Sequence, residues 1–325
     1  PDQTLVLVNG KRRHRAALVQ ITNQPLAAGA QGPDLAMIPS IAVEQIEVLR
    51  DGAAAQYGSD AIAGVINFRL KRDSQGSTVV TRFGSYMDGG GDDLSLQANV
   101  GLPLTADGFF NFSFEYVDSD PTSRGTQRPD AQGLIDGGNN AVPVPAQRWG
   151  NVAAEAVRAF FNAEVQATDS VTAYAFGNYG DSSGDTEFFY RNPVTRTDIF
   201  RSVPLTNQPG GPRFNFNQWF PGGFTPLFGT SIVDSSLTLG ARGEWSNGLQ
   251  FDFSGSRGRS ELEYRISNTV NPSLGPESPT SFRPGTIQQL ETNFNADFVF
   301  ALPVAALASP LNVAFGAEWR QEEFE

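Results

Sequence analysis

The 325-residue chain contains no cysteine. That removes disulfides, thiol catalysis and cysteine-based metal sites together, and it leaves the redox compartment open. Histidine is nearly as scarce. The single copy, His14, sits among Lys11, Arg12, Arg13 and Arg15, where positive charge opposes a metal cation, so it reads as a structural residue. With one His and no Cys, most nucleophile and base pairs cannot be assembled. The stretch GSDAIAG (58–64) lacks the Lys and Ser/Thr of a phosphate-binding loop. Glu322 and Glu323 are adjacent, so on a strand they face opposite sides. No set of residues supports an enzyme, a metal site or a cofactor.

Cationic charge is also short. The 23 Lys and Arg against 35 Asp and Glu leave a net charge of -12, and polynucleotide affinity comes mainly from Lys and Arg on phosphates, so no nucleic-acid partner is expected. There is no long apolar run. The nearest candidate, VFALPVAALA at 299–308, is broken by Pro303, which excludes a transmembrane helix. Transmembrane β-strands remain open, because they need only about 9–11 residues of alternating character. The sequence opens on Pro1 without a charged segment leading into an apolar one; the expectation is a piece of a longer protein, with any signal peptide removed or upstream.

What is present changes character near residue 74. Before it, TLVLVNG reads as a strand closing in an Asn9-Gly10 turn, IPSIAVEQIEVLRDG as a short helix capped near Ser40 that runs into a strand, and AGVINFRLK as another strand. After it, segments alternate with period 2. Phe110, Phe112, Phe114 and Tyr116 point one way, and Asn111, Ser113 and Glu115 the other. Leu237, Leu239, Ala241 and Trp245 oppose Thr238, Arg242 and Glu244, and the pattern returns around Phe251, Phe294 and Phe315. A soluble sandwich also alternates, so the connections decide. Short turns (103–108, 168–170, Asn247-Gly248 and 303–310) interleave with long Gly- and Pro-rich connections at roughly 119–150, 191–232 and 267–285. Outer-membrane barrels have short turns on one rim and long loops on the other. About nine strands are counted, an odd number that leaves the wall incomplete.

The string TLVLVNGKRRH followed by IPSIAVEQIEVLRDGAAAQYGSDAIAGVINFRLK resembles the second half of the plug domain of TonB-dependent outer-membrane receptors. The resemblance is close over about residues 4–72 and holds by pattern beyond. It implies a mainly β fold: a small α+β plug half over 1–73, then, over 74–325, the first nine or so of about 22 antiparallel strands of a large transmembrane β-barrel. The residues carrying the motif are Asn9, Gly10, Arg50, Asp51, Gly52, Tyr57, Gly58, Gly64 and Asn67. Gly52, Gly58 and Gly64 permit turns that a side chain would block, and Ala53, Ala54 and Ala55 suit a closely packed helical turn. They shape the plug and perform no chemistry. For Arg50 and Asp51, pairing with barrel-wall charges and simple solvation both stand.

The resemblance implies active uptake of a scarce small-molecule solute, such as a ferric siderophore or another metal chelate, across the outer membrane of a Gram-negative bacterium. Its implied partners are outer-membrane lipid and the TonB complex, the latter through a segment missing from this chain. The alternatives are a passive or adhesive barrel sealed by a plug, and a soluble carbohydrate-binding β-protein. The stretch 15–38 is expected to reach the outer mouth or to lie solvated. Phe214, Phe216, Trp219, Phe220 and Phe224 form a candidate substrate-contact loop, rigid aromatics being good binding anchors; the competing reading is a loop folded on its own small core. MDGGGDD (87–93) does not have the spacing of an EF-hand and reads as a flexible loop.

Overall fold

The computed structural model describes residues 3–20, 28–50, 57–206, 210–304 and 307–325. Its first part is a small sheet of β1 (Thr4–Val8), β2 (Lys11–Arg12), β3 (Val43–Leu49) and β4 (Gly64–Leu70), in the order β2-β1-β4-β3. Asn9 (φ 49°) and Gly10 (φ 80°) both take positive φ, the requirement of a tight primed hairpin turn, and they close β1 on β2. The segment before β3 is a single 3-10 turn, Ser40–Ala42. Pro39, not Ser40, precedes it, and no side chain caps it: three residues are too few for the orphan amides that a cap would serve.

The chain then enters β5 (Ser77–Gly84), β6 (Asp93–Pro103), β7 (Phe109–Ser119), β8 (Ala153–Thr168) and β9 (Val171–Glu187). Helix α1 (Pro129–Asp136) lies in the connection between β7 and β8. A short α2 (Thr197–Phe200) and the ribbon β10 (Val203–Pro204) with β11 (Arg213–Phe214) follow β9. After these come β12 (Leu227–Glu244), β13 (Leu249–Ser267), β14 (Ser281–Leu302) and β15 (Leu311–Phe324). The large sheet has nine strands, ordered β15-β14-β13-β12-β9-β8-β7-β6-β5, all antiparallel to their neighbours.

The expected alternation of short and long connections holds, but two strands start earlier than the sequence suggests, at Leu227 and Ser281. Pairing there continues where apolar and polar residues no longer alternate regularly along the strand: Leu227 meets both Glu187 and Ser267. β14 keeps its partner past Pro284 through a register shift between Tyr264 and Ile266. Such irregularities let a strand carry a residue that cannot donate to the ladder.

Burial in the large sheet is inverted relative to a soluble sandwich. Asn111, Ser113 and Glu115 are buried while Phe112 is exposed; Asp234 is 1% exposed and Leu239 54%; Asn293 is 2% and Phe294 56%. The polar face is the covered one because the small sheet sits on it. Val8, Ile38, Ala42 and Leu70 pack with Phe160, Tyr174 and Phe176 of β8 and β9 in one shared core. Leu5, Leu7, Ala61 and Val65 form a second core inside the small sheet.

Candidate functional site

The motif residues at the β1–β2 turn tie the small sheet together before they touch the wall. Leu70 N–H donates to Asn9 Oδ1 at 2.9 Å, and Gly10 N–H to Asn67 Oδ1 at 2.9 Å. The Asn67 amide donates in turn to Glu47 at 2.7 Å. That hydrogen bond, followed by the one from Arg69, holds the Glu47 carboxyl below its ordinary range. Asn9 Nδ2 reaches the wall at Asn162 Oδ1, 3.1 Å away. A Cβ on Gly64 (φ 132°) would lie 2.5 Å from the Leu49 carbonyl, so the close β3–β4 approach requires glycine. Gly58 takes φ 81°. Tyr57 and Arg50 are exposed, and Arg50 forms no ion pair among the described residues. Asp51, Gly52 and Ala53 to Ala55 lie outside the described residues.

Just past the turn, the run Lys11 to Arg15 docks on acidic groups spread along the covered face. Lys11 Nζ lies 3.3 Å from Asp252 and 3.1 Å from Asp297. Arg12 pairs with Glu318 at 3.2 Å and with Asp60 of its own domain at 2.8 Å, and Arg320 of β15 binds the same Asp60 oxygen at 2.6 Å. Burial raises the Asp60 carboxyl, but the Arg320 hydrogen bond and the charges of Arg320, Arg12 and Arg15 outweigh it and leave it below its ordinary 3.8. Arg15 faces Glu322 at 3.6 Å.

The deepest contact is made by Arg13 and His14. Arg13 Nη2 donates to Asp234 Oδ1 at 2.5 Å, and Nη1 to Asn178 at 2.6 Å and Ser236 at 3.1 Å. His14 Nε2 lies 2.8 Å from the other Asp234 oxygen. All three charged or ionisable side chains are at most 3% exposed. Buried charge survives only when paired and hydrogen-bonded, and this cluster is paired and hydrogen-bonded at both Arg13 Nη atoms and both Asp234 oxygens, with Arg13 Nε alone left without a partner among the described residues. A Cβ on Gly258 would lie 2.2 Å from the His14 ring; glycine makes the room. The lone histidine is thus a packing and pairing residue.

Further along, Ala17 N–H donates to Ser260 Oγ at 3.0 Å and Gln31 to Gln289 at 3.1 Å. The described parts of 15–38 therefore climb the wall. On the opposite side of the turn, Glu164 holds Arg72 at 2.9 Å and Arg242 at 2.5 Å, and Tyr174 donates to Asp252 at 2.6 Å. These side chains line a polar cavity of about 210 Å³ between the two sheets.

Of the aromatic loop residues, Phe214, Phe216 and Phe224 are buried with Ile199 and Phe200, and Phe220 packs against them. They form the loop's own core, and Trp219, 39% exposed, is the ring left for a ligand to reach. The long connections also clamp one another: the Tyr190 hydroxyl donates to the Gly222 carbonyl and Asn139 to the Pro221 carbonyl. Burial, then the Asp130 charge, pushes the Tyr190 hydroxyl up to about 12. In MDGGGDD, Asp88 pairs with Arg124 and Asp93 with Arg82, and among the described residues no cluster of metal-ligating side chains occurs.

The sequence did not reveal that Lys11 to Arg15 would dock on the wall. Its signal was there: five consecutive basic or imidazole side chains in an acidic chain, beside strands whose inward residues include Asp252, Glu291 and Asp297.

A small mixed domain held by charge on the polar face of an antiparallel sheet, whose other face is apolar and exposed, defines a plugged β-barrel wall. Residues 1–65 match the TonB-dependent Receptor Plug Domain family, so this first part of the chain is identified with that plug domain. Over 66 residues the chain is 46% identical to the vitamin B12 transporter BtuB of Vibrio vulnificus, a stretch amounting to 20% of this chain and 9% of that protein. In fold it resembles a mutant of the ferric enterobactin receptor PfeA of Pseudomonas aeruginosa (TM-score 0.64, 16% identity, 100% of this chain and 42% of that one). It likewise resembles the siderophore receptor PirA of Acinetobacter baumannii (TM-score 0.61, 20% identity, 100% and 41%). The chain therefore spans about two fifths of the length of these receptors.

Proposed function

We propose that this chain supplies part of the plug, over 1–73, and part of the wall, over 74–325, of an energised uptake receptor in the outer membrane of a Gram-negative bacterium. A scarce solute binds between the long loops and the top of the plug. Force transmitted from the inner membrane by the TonB complex then loosens the plug and lets the solute pass. The observation that carries this reading is the docking of Lys11 to Arg15 on Asp252, Asp297, Glu318 and Asp234. Beyond the one apolar cluster it shares with β8 and β9, the plug is held by charge and hydrogen bonds, and it can be shifted with less exposed apolar surface than a permanent seal built on apolar packing throughout.

A metal chelate is the favoured solute, by analogy with the siderophore and enterobactin receptors of similar fold. The vitamin B12 transporter match keeps cobalamin in the test. Cells producing the receptor are given ferric siderophores and cobalamin with the inner-membrane proton gradient intact or collapsed. Accumulation that stops on collapse supports energised import. Accumulation that persists would instead support the passive barrel with a sealing plug.

A further inference from the structure

Three of the long connections are folded into one another, although each leaves the wall between a different pair of strands. They are 120–152 after β7, the described parts of 188–226 after β9, and 268–280 after β13. Every strand that bounds them is paired on both sides, so no contact among them depends on an open sheet edge. The first two share a small core in which Tyr190 packs among Ala131, Val142 and Ala146, with Leu134 and Ile135 against it. The Tyr190 N–H donates to Gln147 at 3.1 Å, and Asn139 donates to the Pro221 carbonyl at 2.8 Å. Their backbones touch as well: a Cβ on Gly222 would lie 2.1 Å from the Ala141 carbonyl oxygen. The second and third share another core, where Val270 packs against the cluster of Ile199, Phe200, Phe214, Phe216 and Phe224.

Thr225 joins the two cores. Its hydroxyl donates to the Ala146 carbonyl of the first connection, and its own carbonyl accepts from Asn268 Nδ2 of the third at 2.8 Å. Thr225 is buried, and Asn268 takes the left-handed φ of 50° that asparagine tolerates better than most side chains. Phe224, beside it, belongs to the second core and pairs through its N–H and carbonyl with Arg191, the neighbour of Tyr190 in the first. The connection 85–92, after β5, is tied differently. Arg124 lies over the Tyr86 ring and pairs with Asp88, but both charged side chains are more than half exposed. Such a pair contributes little, so 85–92 stands outside the block.

We propose that these three connections form one cooperative unit, pinned at Thr225, that opens only as a whole. Loops commonly open one at a time, because each has few buried contacts beyond its own residues. Here, freeing any one of the three breaks a core that a second one needs. The arc of the mouth between β7 and β14 is then a preformed rim in place of three independent flaps, and whatever orders one connection orders the other two. This holds whether or not uptake is energised.

The test is native-state hydrogen exchange of the full-length, detergent-solubilised receptor in two variants that each cut one core. Phe216→Ala takes a fully buried ring out of the second core. It should speed exchange in α2 and in the 3-10 turn Pro272–Glu277 and, by a similar factor of about tenfold or more, in α1, which belongs to the first core. Tyr190→Ala cuts the first core and should speed exchange in Pro272–Glu277, which lies in the third connection. Amides of β8 and β9 should exchange as in the wild type, showing that the wall is intact. If either variant fails to fold, Thr225→Val decides: it loses only the hydroxyl bond to Ala146, and exchange should still rise in both α1 and Pro272–Glu277. Exchange that rises only beside the cut core overturns the proposal: α1 unchanged in Phe216→Ala, Pro272–Glu277 unchanged in Tyr190→Ala, or a response of α1 alone in Thr225→Val.

Discussion

Arg13 and Asp234, 221 residues apart, meet at 2.5 Å with side chains 2% and 1% exposed. One comes from the turn region of the plug and the other from the middle of a wall strand, so this pair joins the two parts of the molecule at their most enclosed point. Its hydrogen bonds to Asn178 and the contact of His14 with the same carboxylate complete the arrangement.

Asp234→Ala should therefore be among the most damaging single changes at the interface. It leaves the Arg13 guanidinium buried without its counter-charge, a loss of about 3–5 kcal/mol for a broken buried pair. The thermal midpoint of the detergent-solubilised receptor should fall, and the plug should become sensitive to protease. Arg13→Ala combined with Asp234→Ala should cost less than the sum of the two single changes. An additive double variant would contradict the pairing.

Gly258 should tolerate no side chain while His14 is present, because a Cβ would lie 2.2 Å from the imidazole. Gly258→Ala is expected to destabilise the plug–wall contact by about 1–3 kcal/mol, the usual scale of overpacking. His14→Ala should recover part of that loss. Equal melting of Gly258→Ala and the wild type would show that the ring does not sit there.

Acid should loosen the plug through Asp60. Its carboxyl is held below 3.8 by Arg320 and Arg12. A depressed folded value means that the contribution is fully present above the unfolded value and is lost as pH falls through the folded one. Between pH 5 and pH 3, protease sensitivity of the plug should rise in the wild type. Asp60→Asn should show part of that sensitivity already at pH 7 and a smaller further change on acidification. Identical pH profiles would remove Asp60 from the account.

The outward face should behave as a lipid surface. Leu239 is 54% exposed on that face of β12, and Leu239→Arg should cost about 2–4 kcal/mol in folding into vesicles, the range for a basic residue near the middle of a bilayer. Leu239→Phe should fold like the wild type. A neutral Leu239→Arg would place this face in water.

The wall was legible in the sequence because its information is local. Phe110 to Tyr116 alternate within seven residues, and Asn9-Gly10 specifies its own turn. The docking was not legible because it is nonlocal: nothing near Arg13 indicates Asn178, Ser236 or Asp234, and no spacing rule links residues that far apart. The same limit applies to the aromatic loop, where the choice between a ligand surface and a private core depended on Ile199 and Phe200 folding back on Phe214 and Phe216. Strand ends were misplaced at Leu227 and Ser281 for a different reason: hydrogen-bond pairing continues above the apolar band, where period-2 hydropathy no longer marks it.

The most direct test of the inside-out wall starts from the absence of cysteine in these 325 residues, with any cysteine elsewhere in the receptor replaced by serine. Single cysteines at 237, 238 and 239, carrying nitroxide labels in the membrane-embedded receptor, are exposed in turn to oxygen and to a water-soluble nickel chelate. Labels replacing Leu237 and Leu239 should respond to oxygen and not to nickel, and the label replacing Thr238 should be immobile and shielded from both. Nickel relaxing the labels at 237 and 239 as strongly as a label in water would contradict the account.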